Sequence, residues 1–291
     1  MEHAILGAGA IGGLVGTALA SLGEGVTVLV RPERLPGYPA SLSVERPSGT
    51  ITAPAKAAVK LTKPVDVLWI ATKTYQLETA LAAVQSLPRC IVPLLNGVDH
   101  VDVLHAHFGP NRVLPATIAV EAEKLGPGRF VQRSPFVNLN LAASGEPLLG
   151  AIFARLRDLG FTCRFIQNEQ TLLWSKLCFL GPFALVTSAS GMNKGEVYAN
   201  PEWKRKLISA IAEACAVAKA AGAEVDAARI QAIVDSSPSG MQSSMQKDLA
   251  AGRQLELDAI GGPIVRGRER YGIDVSTVSA LIAVIRAKAV E

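Results

Sequence analysis

The chain has 291 residues, 49% apolar, 19% charged and 5% aromatic, with 29 Lys and Arg against 25 Asp and Glu. That apolar content excludes a disordered chain. Dispersed charge and few aromatics speak against nucleic acid as a partner, and a prior of about 150 residues per domain allows two domains.

The first third alternates short apolar runs with helical patterns. His3–Leu6 reads as a strand, followed by a glycine turn and a helix to about Leu22. Gly25–Val30 is β-branched and continuous, as a strand covered on both faces requires, and Val65–Ala71 and Cys90–Leu95 repeat that character. With Gln76–Gln85 helical between the last two, these are βαβ units of a parallel sheet. Val113–Ala119, Phe136–Leu141 and Thr162–Ile166 still read as strands, with a helix over Ala151–Leu159. After Asn168 the pattern turns helical: Gln170–Cys178, Pro201–Ala221, Ala227–Val234, Gly240–Ala250, Leu255–Tyr271 and Ser276–Ala289. The expected organisation is therefore an α/β dinucleotide-binding domain over residues 1–167 and an all-helical substrate domain over 168–291.

Cys90, Cys163, Cys178 and Cys215 form no CxxC pair, and His3, His100, His105 and His107 add no zinc-like spacing. Buried free thiols and no metal site are expected. The apolar stretch from Leu6 lacks a basic leader, and the longest apolar run, Leu177–Val186, contains Gly181-Pro182. A cytoplasmic chain with no membrane partner is the expectation, and Gly181-Pro182 should disturb any helix there.

The first strand runs directly into Gly7-Ala8-Gly9-Ala10-Ile11-Gly12. This is GxGxxG between a strand and a helix: Gly7 for the tight turn, Gly9 for close approach of a diphosphate, Gly12 for helix–strand packing. The diphosphate would sit on the free N–H groups of the helix start. An NAD site usually carries an acid at the end of the second strand, about 20 residues past the glycines, to bind the ribose hydroxyls. Here that place holds Arg31, and Lys73 follows the strand Val65–Ala71. Cations at these positions suit a 2′-phosphate, so NADP is the expected cofactor.

The chain resembles the ketopantoate reductase (2-dehydropantoate 2-reductase) family of the 6-phosphogluconate-dehydrogenase-like superfamily. The resemblance rests on Gly7–Gly12, Arg31, Thr72-Lys73-Thr74-Tyr75-Gln76, Leu95-Asn96-Gly97-Val98, Leu173-Trp174-Ser175-Lys176-Leu177, Ser243-Ser244-Met245-Gln246-Lys247-Asp248 and Leu255-Glu256-Leu257-Asp258, all in order. It implies a Rossmann-like domain followed by a helical one, and NADPH-dependent reduction of ketopantoate to pantoate in pantothenate biosynthesis, by a monomer or homodimer. It also implies roles: Lys176 gives a proton to the ketone oxygen, Glu256 binds the cofactor end of the cleft, Asn96 lies near nicotinamide ribose and substrate, Ser244 binds substrate, and Ala122 touches cofactor through its backbone. The residue types suit the chemistry. Negative charge develops on the ketone oxygen, and a desolvated lysine with a lowered pKa is a fitting donor.

The chain departs from the family where asparagines are expected four and eight residues after the lysine. Leu180 and Ala184 stand there, and neither can hydrogen-bond a small polar substrate. Lys194 is a candidate replacement partner for a carboxylate. Two alternatives to ketopantoate reduction follow: a related reductase of a bulkier or less polar 2-oxo acid, and a non-catalytic NADP-binding regulatory protein. Retention of Lys176 and Glu256 speaks against the second.

Overall fold

The structure is a computed structural model that describes residues 1–289. It separates into two compact units: Met1–Leu95 with His100–Gln167, and Asn96–Asp99 with the chain from Asn168 onward.

In the first unit the strands are β1 (Glu2–Leu6), β2 (Gly25–Leu29), β3 (Ser41–Arg46), β4 (Gly49–Pro54), β5 (Lys56–Ala58), β6 (Val67–Ile70), β7 (Cys90–Pro93), β8 (Ala116–Ala119), β9 (Ala122–Gly126), β10 (Arg129–Gln132), β11 (Val137–Ala142) and β12 (Phe161–Ile166). Its helices are α1 (Ala10–Ser21), α2 (Leu77–Leu81), α3 (His100–Phe108) and α4 (Glu146–Asp158). The central sheet is parallel throughout, in the order β5-β2-β1-β6-β7. Its strands send alternate side chains to two cores, as a period of two demands. Ile5, Val28, Trp69 and Val92 pack on one face with Leu14, Val15 and Leu19 of α1. Ala4, Leu6, Leu68, Ile70 and Ile91 pack on the other with Leu77, Leu81 and Leu104 of α2 and α3. Both faces being covered, β6 and β7 are buried at every position. His3 is a core residue: its Nδ1 accepts from Trp69 Nε1 at 3.1 Å, and its Nε2 is buried with no hydrogen-bond partner among the described residues. Burial lowers its pKa to about 4, so the ring stays neutral.

Two smaller sheets complete the unit. One runs β4-β3-β10-β9 and packs on α1; the other runs β12-β11-β8 and is backed by α4. The β3–β4 hairpin, β5, β9 and β10 are additions to the elements expected from the sequence. Gln76–Gln85, expected as one helix, is a 3₁₀ turn (Thr74–Gln76) and the short α2, after which Leu61 and Val84 form a β-bridge.

The second unit contains α5 (Glu169–Ser190), α6 (Lys194–Ala199), α7 (Pro201–Ala220), α8 (Ala227–Ser236), α9 (Ser244–Ala250), α10 (Leu257–Tyr271) and α11 (Ser276–Lys288), with no strand among the described residues. Side chains mark several helix starts. Asn168, Asn193, Asn200, Asp226 and Ser243 each accept a backbone N–H at the head of α5 to α9, respectively. The head of α11 lacks a cap of its own, and the Glu213 carboxylate on α7 supplies one, accepting from Thr277 N and Val278 N at 2.9 Å each.

The expected break at Gly181-Pro182 does not occur. α5 runs unbroken through Pro182, although the ring removes the N–H that would bond Cys178 O. Packing overrides the local cost. α5 contacts α6, α7, α8, α9, α10 and α11, and Gly181 lets α10 approach, since a Cβ there would meet the Ile260 carbonyl oxygen at 3.3 Å. Phe183, 1% exposed, contributes about 1.5–3 kcal/mol by burial alone. α5 is long and apolar enough to cross a membrane, but 78% of its most apolar stretch is already buried by its neighbours. All four cysteines are free and buried, and no group of metal-ligating side chains occurs among the described residues.

Candidate active site

In the first unit, β1 leads directly into Gly7-Ala8-Gly9. Gly7 has φ +106°, and a Cβ there would lie 2.7 Å from the Ala71 and Thr72 backbone at the end of β6. Gly12 is equally confined, because a Cβ would run into the Gly7 carbonyl oxygen. Gly9 is different. The nearest atom to a Cβ there is Ala71 O at 4.0 Å, so protein packing does not demand a glycine. Its bareness opens the backbone to something outside the chain. Gly9 caps α1 without a side chain, and the first turn carries no acid, which leaves N–H groups and the dipole free for an anion.

Beside this turn, the Thr72 hydroxyl is buried with no hydrogen-bond partner among the described residues. A buried hydroxyl in that state is a place a ligand can satisfy. From β1 the chain passes to β2 on one side of the sheet and to β6 on the other, the switch point at which dinucleotides bind. These residues fit a dinucleotide. Ala8, Ala10 and Ile11 are half-buried around the turn. Arg31 follows β2 and is exposed at the head of the 3₁₀ turn Pro32–Arg34. Lys73 follows β6 and is half-buried. Ala122 opens β9, opposite Gln132. Two residues along, Lys124 Nζ donates to Ala8 O at 2.7 Å, a contact to the glycine turn that no pattern in the sequence announces.

The second unit assembles three polar side chains far apart in sequence. Asn96 lies in a turn locked to the head of α10. Gly97 has φ +83°, and a Cβ there would overlap the Ala259 carbonyl oxygen. Val98 packs into the helical core, and Arg266 pairs with both Asp99 and Asp258. That docking carries Asn96 to Glu256, which precedes α10 and is 6% exposed. Asn96 Nδ2 donates to Glu256 Oε2 at 3.2 Å. On its other side, Asn96 Oδ1 accepts from Lys176 Nζ at 2.9 Å. The amide therefore turns its oxygen to the cation and its nitrogen to the carboxylate. Lys176 sits on α5 between buried Trp174 and Leu177. Loss of water by burial lowers its pKa from 10.5 to about 8, and the Glu256 charge opposes that shift.

The other expected residues of this unit make no hydrogen bond to this cluster among the described residues, and some serve the fold. Ser243, not Ser244, caps α9 and also hydrogen-bonds Thr187 (2.9 Å between hydroxyl oxygens). Ser244 is the first residue of α9, exposed, and makes no hydrogen bond to Lys176, Asn96 or Glu256 among the described residues. Lys194 is already engaged: Nζ donates to Asp235 O at 2.9 Å and lies 4.5 Å from the Tyr198 ring centre. Leu180 is half-buried against the helical core, and Ala184 is buried within it.

A dinucleotide turn and a buried amide-held lysine are the parts of an oxidoreductase acting on CH–OH groups. Residues 3–144 match the family described as ketopantoate reductase PanE/ApbA, and residues 168–289 match its C-terminal domain. The chain belongs to the ketopantoate reductase family. It is 31% identical to the 2-dehydropantoate 2-reductase of Caulobacter vibrioides, over 98% of each chain. A solved PanE/ApbA family ketopantoate reductase from Ralstonia eutropha JMP134 superposes with a TM-score of 0.87 at 25% identity, covering 99% of this chain and 98% of that one. A D-mandelate dehydrogenase solved with NADH and anilino(oxo)acetate shares the fold, with a TM-score of 0.86 at 23% identity and 99% and 98% coverage.

Proposed function

We propose that the protein reduces a 2-oxo acid to the 2-hydroxy acid with NADPH, the first candidate being 2-dehydropantoate to pantoate in pantothenate biosynthesis. The observation that carries this reading is the Lys176–Asn96–Glu256 chain, with a lysine poised near pH 8. Bound reduced nicotinamide supplies the hydride. Lys176 donates a proton to the oxygen on which negative charge develops, and Asn96 Oδ1 aims the ammonium. Glu256 fixes the amide and keeps the lysine protonated more than burial alone would allow. The glycine turn holds the diphosphate, and Arg31 and Lys73 take the 2′-phosphate.

A second reading keeps the reaction and changes the substrate. Leu180 and Ala184 favour a 2-oxo acid with an apolar side chain, since a buried hydroxymethyl group finds no partner in them. The deciding experiment is NADPH oxidation by the purified protein against a panel of 2-oxo acids that includes 2-dehydropantoate and phenylglyoxylate. No turnover of any member would sink both readings.

A further inference from the structure

Arg31 and Lys73 are not the only cations near the mouth of the dinucleotide turn. Lys124 reaches from β9 to the Ala8 carbonyl, inside the glycine turn itself. Its ammonium is half-buried, and the Arg34 guanidinium stands near enough to lower its proton affinity together with burial. Arg34 is one turn beyond Arg31 in the same 3₁₀ segment. Arg31, Arg34 and Lys124 thus share one corner of the first unit, at the end of β2. None of the three is ion-paired with a carboxylate among the described residues.

Such a cluster opposes itself. Like charges in partial burial repel, and the neutral Ala8 carbonyl does not compensate Lys124. A partly desolvated ammonium in this position suits a dianion, and the turn it touches is the one built to take a dinucleotide. The 2′-phosphate is the dianion that belongs at the end of the second strand, whereas the diphosphate belongs on the head of α1.

We propose that Lys124, assisted by Arg34, is a determinant of 2′-phosphate recognition, exchanging the Ala8 carbonyl for a phosphate oxygen when NADPH binds. The inference rests on the NADPH reading above. It adds a residue from a different sheet, so that recognition of the cofactor closes over the turn from both sides of α1.

The experiment is calorimetric titration of the full chain and of Lys124→Met, Lys124→Arg and Arg34→Ala with NADPH, NADH, 2′,5′-ADP and 5′-ADP. Lys124→Met should weaken NADPH and 2′,5′-ADP about 10- to 150-fold, the range of a charge-assisted hydrogen bond. NADH and 5′-ADP should change less than about 2-fold. Lys124→Arg should recover most of the loss, and Arg34→Ala should show the same pattern at smaller size. Equal weakening of NADPH and NADH would overturn the proposal, because Lys124 would then act on the glycine turn or the diphosphate. Unchanged NADPH binding in Lys124→Met, in a parent that prefers NADPH, would overturn it while sparing the NADPH reading. A parent with no preference for NADPH would overturn both.

Discussion

Lys176 and Asn96, 80 residues apart, meet at 2.9 Å, with the lysine as donor and the amide oxygen as acceptor. The contact points the ammonium while leaving it two further protons to give. If that proton is used on the substrate oxygen, Lys176→Ala should lower kcat by about 10²–10⁴. NADPH affinity, read by calorimetry, should change little. A folded variant that turns over at the parent rate would remove Lys176 from the mechanism.

The pH dependence has a definite sign. Reduction needs the ammonium form, and burial has brought its pKa to about 8. The kcat/KM for reduction should therefore hold below pH 8 and fall about tenfold per unit above it. Glu256 raises that pKa, so Glu256→Gln should move the alkaline limb to lower pH. A limb that stays in place in Glu256→Gln would mean that the titrating group is not Lys176.

Gly97 holds Asn96 at the head of α10, so the turn itself is open to test. An alanine at φ +83° is strained by about 1–3 kcal/mol, and its Cβ would overlap Ala259 O. Gly97→Ala should lower the denaturation midpoint and reduce kcat, with NADPH affinity in calorimetry close to that of the parent. Parent stability and parent kcat together would show that the turn does not position Asn96.

Much of this architecture was legible in the chain, for identifiable reasons. β6 and β7 are covered on both faces and each is an unbroken apolar run, and β1 and β2 are apolar apart from Glu2, His3 and Thr27. Several helices of the second unit announce themselves by Asn, Asp or Ser at the cap, as at Asn200 before Pro201. The β4-β3-β10-β9 sheet was not legible. Its strands are short and half-exposed, and β3 pairs with β10 more than 80 residues away. Gly181-Pro182 misled because local propensity is a weak prior against the packing of α5 by six other helices. Asn96, Lys176 and Glu256 were named through family likeness, and no spacing rule brings residues so distant together. Lys124 carried no signal at all, since its contact with Ala8 depends on β9 lying beside α1.

Arg31 bears on cofactor choice. It is exposed after β2, where an acid would be needed to bind the ribose hydroxyls of NADH. The chain should prefer NADPH strongly. Arg31→Ala should weaken NADPH by about 10- to 150-fold with little change for NADH. Calorimetry that finds the two cofactors bound equally by the parent would defeat this assignment.

Leu180 bears on substrate choice. Because α5 is unbroken, residue 180 lies one turn beyond Lys176, and i,i+4 residues share a helix face. Leu180 is half-buried rather than sealed in the core, so a polar replacement there is tolerable, whereas Ala184 has no exposure at all. An unpaired buried hydroxyl costs about 1–3 kcal/mol, so the parent should reduce 2-dehydropantoate with a raised KM. Leu180→Asn should lower that KM about 5- to 150-fold and leave kcat nearly unchanged, since the amide would bind ground and transition states alike. The same variant should lose efficiency toward phenylglyoxylate, whose ring needs the apolar side chain. Efficient turnover of micromolar 2-dehydropantoate by the parent would mean that another group has replaced the missing amides, and Leu180 would then say nothing about specificity.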